Sequence, residues 1–307
     1  MGCAPDWNPP HPRACSPLLC KATHRVGTKS HELTENSGSD PPLSALIGED
    51  CAMSDFSIMT FNLRYPALDG HPVATRLPIA AELITQARPH IIGTQEGELD
   101  QLENLISLLP KEYVWLGEGH SGGNSGEFTA VIYDSSRFDV DRVDISWLSE
   151  QPETVASESW GVSHARTLTV VDFRDLVTKQ PLRLLNTHLD HRSEEARLES
   201  GKIMADHLAE AAGPCVVTGD FNVATGSPVY NYFCTELGLT DTGAAVPGEN
   251  IGTFHRYKGP KDGDPRIDWI LTTSDLQTVS TRINTFSAGG EYPSDHFPVE
   301  AVLRRVD

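Results

Sequence analysis

Five short polar motifs each close an apolar, strand-like run: Phe61-Asn62, Gln95-Glu96, Asn186-Thr187-His188, Gly219-Asp220-Phe221-Asn222 and Ser294-Asp295-His296. Together they bring carboxylates, imidazoles and carboxamides to the ends of strands. That set of groups suits a water attacking phosphorus beside a divalent metal. A carboxylate takes the proton from the water, and neutral or cationic donors meet the charge that builds on the phosphoryl oxygens.

Each motif has its own chemistry. Asp220 and Asn222 sit two apart where the run Cys215-Val216-Val217 ends, and strand alternation predicts both side chains on one side. The alternative is a polar turn closed by an Asx hydrogen bond, which Gly219 also favours. Glu96 is a hard-oxygen ligand of the kind Mg²⁺ takes beside waters and phosphate oxygens. Asn62 ends the first strand in the same way and is placed to steady the metal, Glu96 or a phosphate oxygen. His188 can donate to a non-bridging oxygen, and Asp190 follows two residues on. Asp295-His296 precedes the last strand, and Asp268, on another strand, is a carboxylate that would orient the imidazole and favour its protonated form. Other chemistries find no support. Cys215 and Cys234 lack zinc-knuckle spacing, and neither a Gly-x-Ser-x-Gly elbow nor a Gly-Lys-Thr phosphate loop is present. The glycine-rich stretch 121–126 lacks a lysine and a following helix, and is read as a rim loop.

To bring these motifs together the chain must alternate strands with helices. The β-rich run from Phe56 leads to Asn62. The stretch 75–88 then puts Ile79, Leu83, Ile84 and Ala87 on one helical face, and Pro89 ends it. A second helix is predicted through Leu102, Leu105, Ile106 and Leu109, stopped by Pro110. Strands are predicted at 128–133, 166–173 and 182–186. Ser193 is the predicted N-cap of a helix to about residue 212, with Glu194 and Glu195 in its first turn. Strand 216–218, a short helix opened by Ser227-Pro228, and strands 267–271 and 297–303 complete the pattern. The helix-free stretch 128–190 argues against a doubly wound parallel sheet. Two mixed β-sheets packed face to face with helices outside, a single α/β sandwich, fit better.

Residues 1–52 differ from this. They hold 7 of the 21 prolines, show neither period, and precede a second methionine, Met53. They are expected to be a disordered tail or an upstream translation artefact, with the domain at 53–307. The formal charge is -19, from 43 acids against 24 bases. Net charge therefore argues against tight non-specific binding to nucleic acid or anionic lipid. With no apolar run near the roughly 20 residues of a membrane span and prolines breaking any signal-peptide core, a cytoplasmic, membrane-free monomer is expected.

Taken in order, the five motifs resemble the endonuclease/exonuclease/phosphatase superfamily from Met53 onward. The nearest likeness is to its deadenylase-like branch and to bacterial-type members that share Trp147-Leu148-Ser149-Glu150, Gly252-Thr253-Phe254-His255 and Arg266-Ile267-Asp268-Trp269. The resemblance implies a four-layer α/β sandwich with Mg²⁺ or Mn²⁺ at one edge. Glu96, Asn62 and Asp295 would attend the metal. Asp220 would activate the water with support from Asn222. His188 and His296, the latter paired with Asp268, would stabilise the transition state, and Arg166 and His255 would lie near the phosphate. The expected activity is hydrolysis of a phosphodiester, either a short nucleic acid or a soluble small molecule. The alternatives are a phosphomonoesterase on sugar or inositol phosphates and, more weakly, a non-catalytic binding protein on the same fold.

Overall fold

The computed structural model describes residues 55–244 and 251–306. The expected tail 1–52 and Met53 lie outside the described residues. In chain order the first elements are β1 (Phe56–Asn62), α1 (Val73–Ala87), β2 (Ile91–Gln95), α2 (Leu99–Leu108), β3 (Tyr113–Leu116) and β4 (Val131–Asp134). The middle of the chain holds β5 (Phe138–Trp147), β6 (Thr167–Asp175), β7 (Pro181–His188), α3 (Glu194–Ala209), β8 (Cys215–Asp220) and α4 (Pro228–Asn231). The last strands are β9 (Thr240–Asp241), β10 (Asp268–Thr272), β11 (Leu276–Ile283) and β12 (Val299–Arg305).

These strands make two six-stranded sheets, ordered β11-β12-β1-β2-β4-β3 and β5-β6-β7-β8-β10-β9. Each sheet is mixed and holds one parallel pair, β1 with β2 and β7 with β8. A helix bridges each parallel pair, α1 in the first case and α3 in the second. Strand alternation then builds the layers. Ile58, Ile91, Leu184, Val216 and Ile270 turn inward and form the core between the sheets. Their neighbours Met59 and Ile92 face outward onto Leu83, Ile84 and Leu102 of α1 and α2. On the other side Leu185, Val217 and Leu271 meet Met204 and Val229. The result is the four-layer α/β sandwich. Each fully buried Val, Leu or Ile in these layers contributes about 1.5–3 kcal/mol.

The helix ends follow their sequence signals. Ser193 Oγ accepts from the Ala196 amide at 3.1 Å, and Glu194 and Glu195 sit in the first turn of α3. Ser227 caps α4 in the same way, with Pro228 following.

A polar layer separates the inter-sheet core from the strand ends. Gln95 Nε2 donates to Asn186 Oδ1 at 2.8 Å, and Asn186 Nδ2 donates to the carbonyls of Thr94 and Ala130. Thr218 Oγ1 also donates to Asn186 Oδ1, at 3.0 Å. Gly93 is needed here, because a Cβ at that position would run into Thr218 and Asn186. One buried carboxamide thus pins the two sheets together directly behind the strand ends that carry the polar motifs.

Candidate active site

The two parallel pairs end at the same edge of the sandwich. Asn62 and Gln95-Glu96 come from β1 and β2, and His188 and Asp220 from β7 and β8. The antiparallel β10 begins at that edge, so Asp268 pairs in register with Asp220. β12 is antiparallel to β1, which brings His296, just before it, to the same place. The alternation that sends Ile58, Leu184 and Val216 inward also sends Asn62, His188 and Asp220 inward, where the core gives way to the edge.

Asp220 is the hub. Its Oδ2 accepts from Asn62 Nδ2 at 3.1 Å and lies 3.5 Å from His188 Nε2 and 3.8 Å from His296 Nε2. Asn62 Nδ2 also donates to Glu96 Oε1 at 2.9 Å, so one carboxamide ties both carboxylates together. His296 Nδ1 pairs with Asp268 Oδ2 at 2.9 Å, and Asp268 Oδ1 is buried without a hydrogen-bond partner among the described residues. All of these groups are buried except Glu96, which is half-buried.

The protonation states diverge. Burial, and then the neighbouring Asp268, push the Asp220 carboxyl up to about 7, although His296 opposes the rise. Burial alone would strip the proton from His296, but Asp268 and Asp220 outweigh it and raise the imidazole to about 10. His188 goes the other way. Burial, and then Arg166 and His296, hold it well below the ordinary imidazole value. The site therefore contains one cationic and one neutral histidine.

Arg64 is a component that the sequence did not signal. Its guanidinium lies between two carboxylates, with Nη1 3.7 Å from Glu96 Oε2 and Nε 3.6 Å from Asp295 Oδ2. Its backbone amide donates to Asn62 Oδ1. Arg64, Glu96 and Asn222 all have left-handed backbones, with φ of 56°, 63° and 53°. Such non-glycine residues are uncommon and cluster where surrounding structure holds a functional group in place.

Several expectations about placement change. β8 ends at Asp220, so alternation does not carry on to Asn222. The chain turns, the Asn222 amide donates to Asp220 Oδ1 at 2.9 Å, and Asn222 Nδ2 donates to the Leu189 carbonyl. The Asx turn is therefore what forms. Asp190 orders its own loop, accepting from the amides of Ser163, Arg192 and Ser193. Burial would raise its carboxyl, but these amides bring it down to about 2. His255 is not brought into the cluster. Its ring stacks on Phe297 at 3.7 Å, and it is its neighbour Phe254 that packs on the His296 ring, at 4.7 Å. Arg166 is buried, with Nε 3.8 Å from Asp190 Oδ2 and Nη2 3.2 Å from His191 Nδ1.

The donor chemistry fits a divalent cation. Glu96, His188 and Asp220 each offer a ligand atom within 4.8 Å of the others. Four carboxylates, Glu96, Asp220, Asp268 and Asp295, face Arg64 and the His296 imidazolium. The excess negative charge is what one hard dication balances, and carboxylate oxygens are its preferred ligands.

A family model described as the endonuclease/exonuclease/phosphatase family matches residues 59–296. The chain belongs to this family. A member of the endonuclease/exonuclease/phosphatase family is a hydrolytic phosphoesterase, and such enzymes depend on a divalent metal. By sequence the chain is 23% identical to a 5'-tyrosyl-DNA phosphodiesterase of Caenorhabditis briggsae, over 91% of this chain and 80% of that protein. By structure it is similar to a Bacteroides thetaiotaomicron mannosyl-6-phosphatase, with a TM-score of 0.76 and 28% identity over 81% of this chain and 99% of that one. A Bacteroides vulgatus endonuclease/exonuclease/phosphatase matches with a TM-score of 0.77 and 30% identity, over 82% of this chain and all of that one. Among the described residues no helix is long and apolar enough to cross a membrane.

Proposed function

We propose that this enzyme hydrolyses a small, soluble phosphomonoester, a phosphorylated sugar, by direct attack of water. The observation that carries the hydrolytic reading is the sharing of one buried carboxylate, Asp220, by a neutral histidine, a cationic histidine and the Asn62 bridge to Glu96. Asp220 is the group for taking the proton from water. His296, kept protonated by Asp268, donates to a phosphoryl oxygen as charge develops there, and His188 donates from the opposite strand pair. Asn62 fixes the two carboxylates relative to each other. A divalent cation, Mg²⁺ or Mn²⁺, would be held by Glu96 and Asp220 with Asp295 nearby, and would neutralise charge on the phosphoryl oxygens when bound.

Two observations favour a monoester. A monoester dianion needs cationic groups that an acidic protein must supply locally, and Arg64, Arg166 and His296 supply them. Arg166 Nε is buried without a hydrogen-bond partner among the described residues. The second is the likeness to a mannosyl-6-phosphatase along nearly the whole of its solved chain. The likeness to a 5'-tyrosyl-DNA phosphodiesterase favours a phosphodiester as the second reading.

Purified protein should be assayed on p-nitrophenyl phosphate, mannose 6-phosphate and bis-p-nitrophenyl phosphate, with Mg²⁺, Mn²⁺ or EDTA. Glu96→Ala and Asp220→Ala serve as controls. Monoester turnover that needs metal and is lost in both variants is expected. Diester preference would transfer the assignment to the second reading, and no turnover of any of the three would sink both.

A further inference from the structure

Arg256 is an anomaly in this acidic protein. The other arginines among the described residues place their guanidinium on a carboxylate, a backbone carbonyl or an imidazole. Arg256 is exposed and has no such partner among the described residues. It lies over the Phe254 ring, with Cζ 4.5 Å from the centroid. The same ring packs against His296 at 4.7 Å, and Phe254 and His296 are joined by a β-bridge. An unpaired cation therefore shares one phenyl ring with the imidazolium of the site.

The backbone at this point is forced. Arg256 and Tyr257 are successive left-handed residues, with φ of 51° and 59°. This conformation is costly for any side chain bearing a Cβ and free for glycine. It is held in place from the site itself, because the amides of His255 and Arg256 both donate to the carbonyl of Asp295, the residue before His296. The Tyr257 ring is fixed by stacking on His71 at 3.7 Å. The turn thus gives up backbone comfort to hold a guanidinium beside the reacting centre, where it neutralises no acid among the described residues.

A planar guanidinium on an aromatic face is a preorganised receptor for an oxyanion, which it can bind through two parallel hydrogen bonds. Set apart from His296 by a ring, it addresses a part of the substrate other than the phosphoryl group under attack. We infer that Arg256 binds a second oxyanion, a phosphate or a carboxylate, carried on the leaving group. The enzyme therefore selects sugar phosphates with two anionic groups. This rests on the phosphomonoesterase reading above.

The test compares kcat and KM for glucose 6-phosphate, fructose 1,6-bisphosphate, 6-phosphogluconate and p-nitrophenyl phosphate in wild type, Arg256→Gly and Arg256→Lys. Wild type should prefer the bisphosphate, if the second group is phosphate, or 6-phosphogluconate, if it is a carboxylate. One charge-assisted contact of this kind predicts that Arg256→Gly loses about 10–100-fold in kcat/KM on the preferred substrate beyond any loss on glucose 6-phosphate. The loss should appear in KM, Arg256→Lys should recover part of it, and the glycine variant should melt at or above the wild-type temperature. A glycine variant with raised Tm and unchanged selectivity would overturn the inference, as would an equal loss on all substrates, which would place Arg256 on the scissile phosphoryl group. Wild type inactive on p-nitrophenyl phosphate and every sugar phosphate would overturn the phosphomonoesterase reading itself.

Discussion

Replacing Asp268 with Asn tests the claim that one carboxylate keeps His296 cationic. The change preserves size and removes the charge 2.9 Å from His296 Nδ1, leaving Asp220, at 3.8 Å from the other nitrogen, as the nearest counter-charge. A hydrogen bond to a charged partner is worth about 1.5–3 kcal/mol, and at about 1.4 kcal/mol per decade its loss from the transition state lowers kcat about 10- to 150-fold. The pH dependence gives a sharper readout. His296 is raised to about 10, with Asp268 and then Asp220 overcoming burial. A group raised above its unfolded value contributes stability that is fully present below the unfolded imidazole value, about 6.5, and is lost as pH rises through the folded one. Wild type should therefore keep the imidazolium through neutral pH and show its alkaline limb near 10. In Asp268→Asn that limb should move toward neutrality, because burial is then opposed by less charge. The assay is kcat for p-nitrophenyl phosphate from pH 6 to 10.5 at saturating Mg²⁺. An unmoved alkaline limb with kcat within about twofold of wild type would refute the role given to Asp268.

Three further outcomes are expected. Asn186→Leu leaves Gln95 Nε2, Thr218 Oγ1 and two carbonyls without their buried partner. It should cost about 3 kcal/mol or more in urea denaturation, and a change under about 1 kcal/mol would mean that the polar layer is not a clamp. Trp269→Ala empties a fully buried site that stacks on Phe221 at 4.2 Å, and should lose about 3–5 kcal/mol by the same measurement. Mg²⁺ at 100 times its Kd should stabilise wild type by about 2.7 kcal/mol through mass action. In thermal melts this rise should vanish with EDTA and in Glu96→Ala, and its survival in the variant would remove Glu96 from the metal site.

How much of this was legible in the sequence depended on what each residue faces. The polar motifs stood out because buried strands are apolar until they end, so Asn62, Glu96, His188 and Asp220 mark strand ends almost by contrast. The layered fold followed from the alternation of helical and strand-like runs. β5 and β11 escaped notice for a physical reason. They lie at sheet edges, and β5 alternates around Asp139, Asp141, Arg142 and Asp144 rather than around apolar residues. Asn222 was placed by extrapolating a strand that stops two residues earlier. His255 and Phe254 differ by one register step, and the β-bridge to His296 puts Phe254 against the site while His255 turns to the core at Phe297. Arg64 carries no signal at all, since a left-handed turn after β1 brings it back over Glu96.

The strand order has a consequence for how the protein comes into being on the ribosome. β12 lies between β11 and β1, the first of the described strands, and pairs Thr60 with the distant Val299. β1 must therefore wait, one edge open, until β12 has been synthesised. The pairing joins residues far apart in sequence, which makes it intrinsically slow. Asp220 and His188 can already be in position on the other sheet while His296 is still inside the exit tunnel. Nascent chains should thus pass through a stage with one sheet built, the other incomplete and no hydrolytic activity, and that interval is where a chaperone would have most to protect.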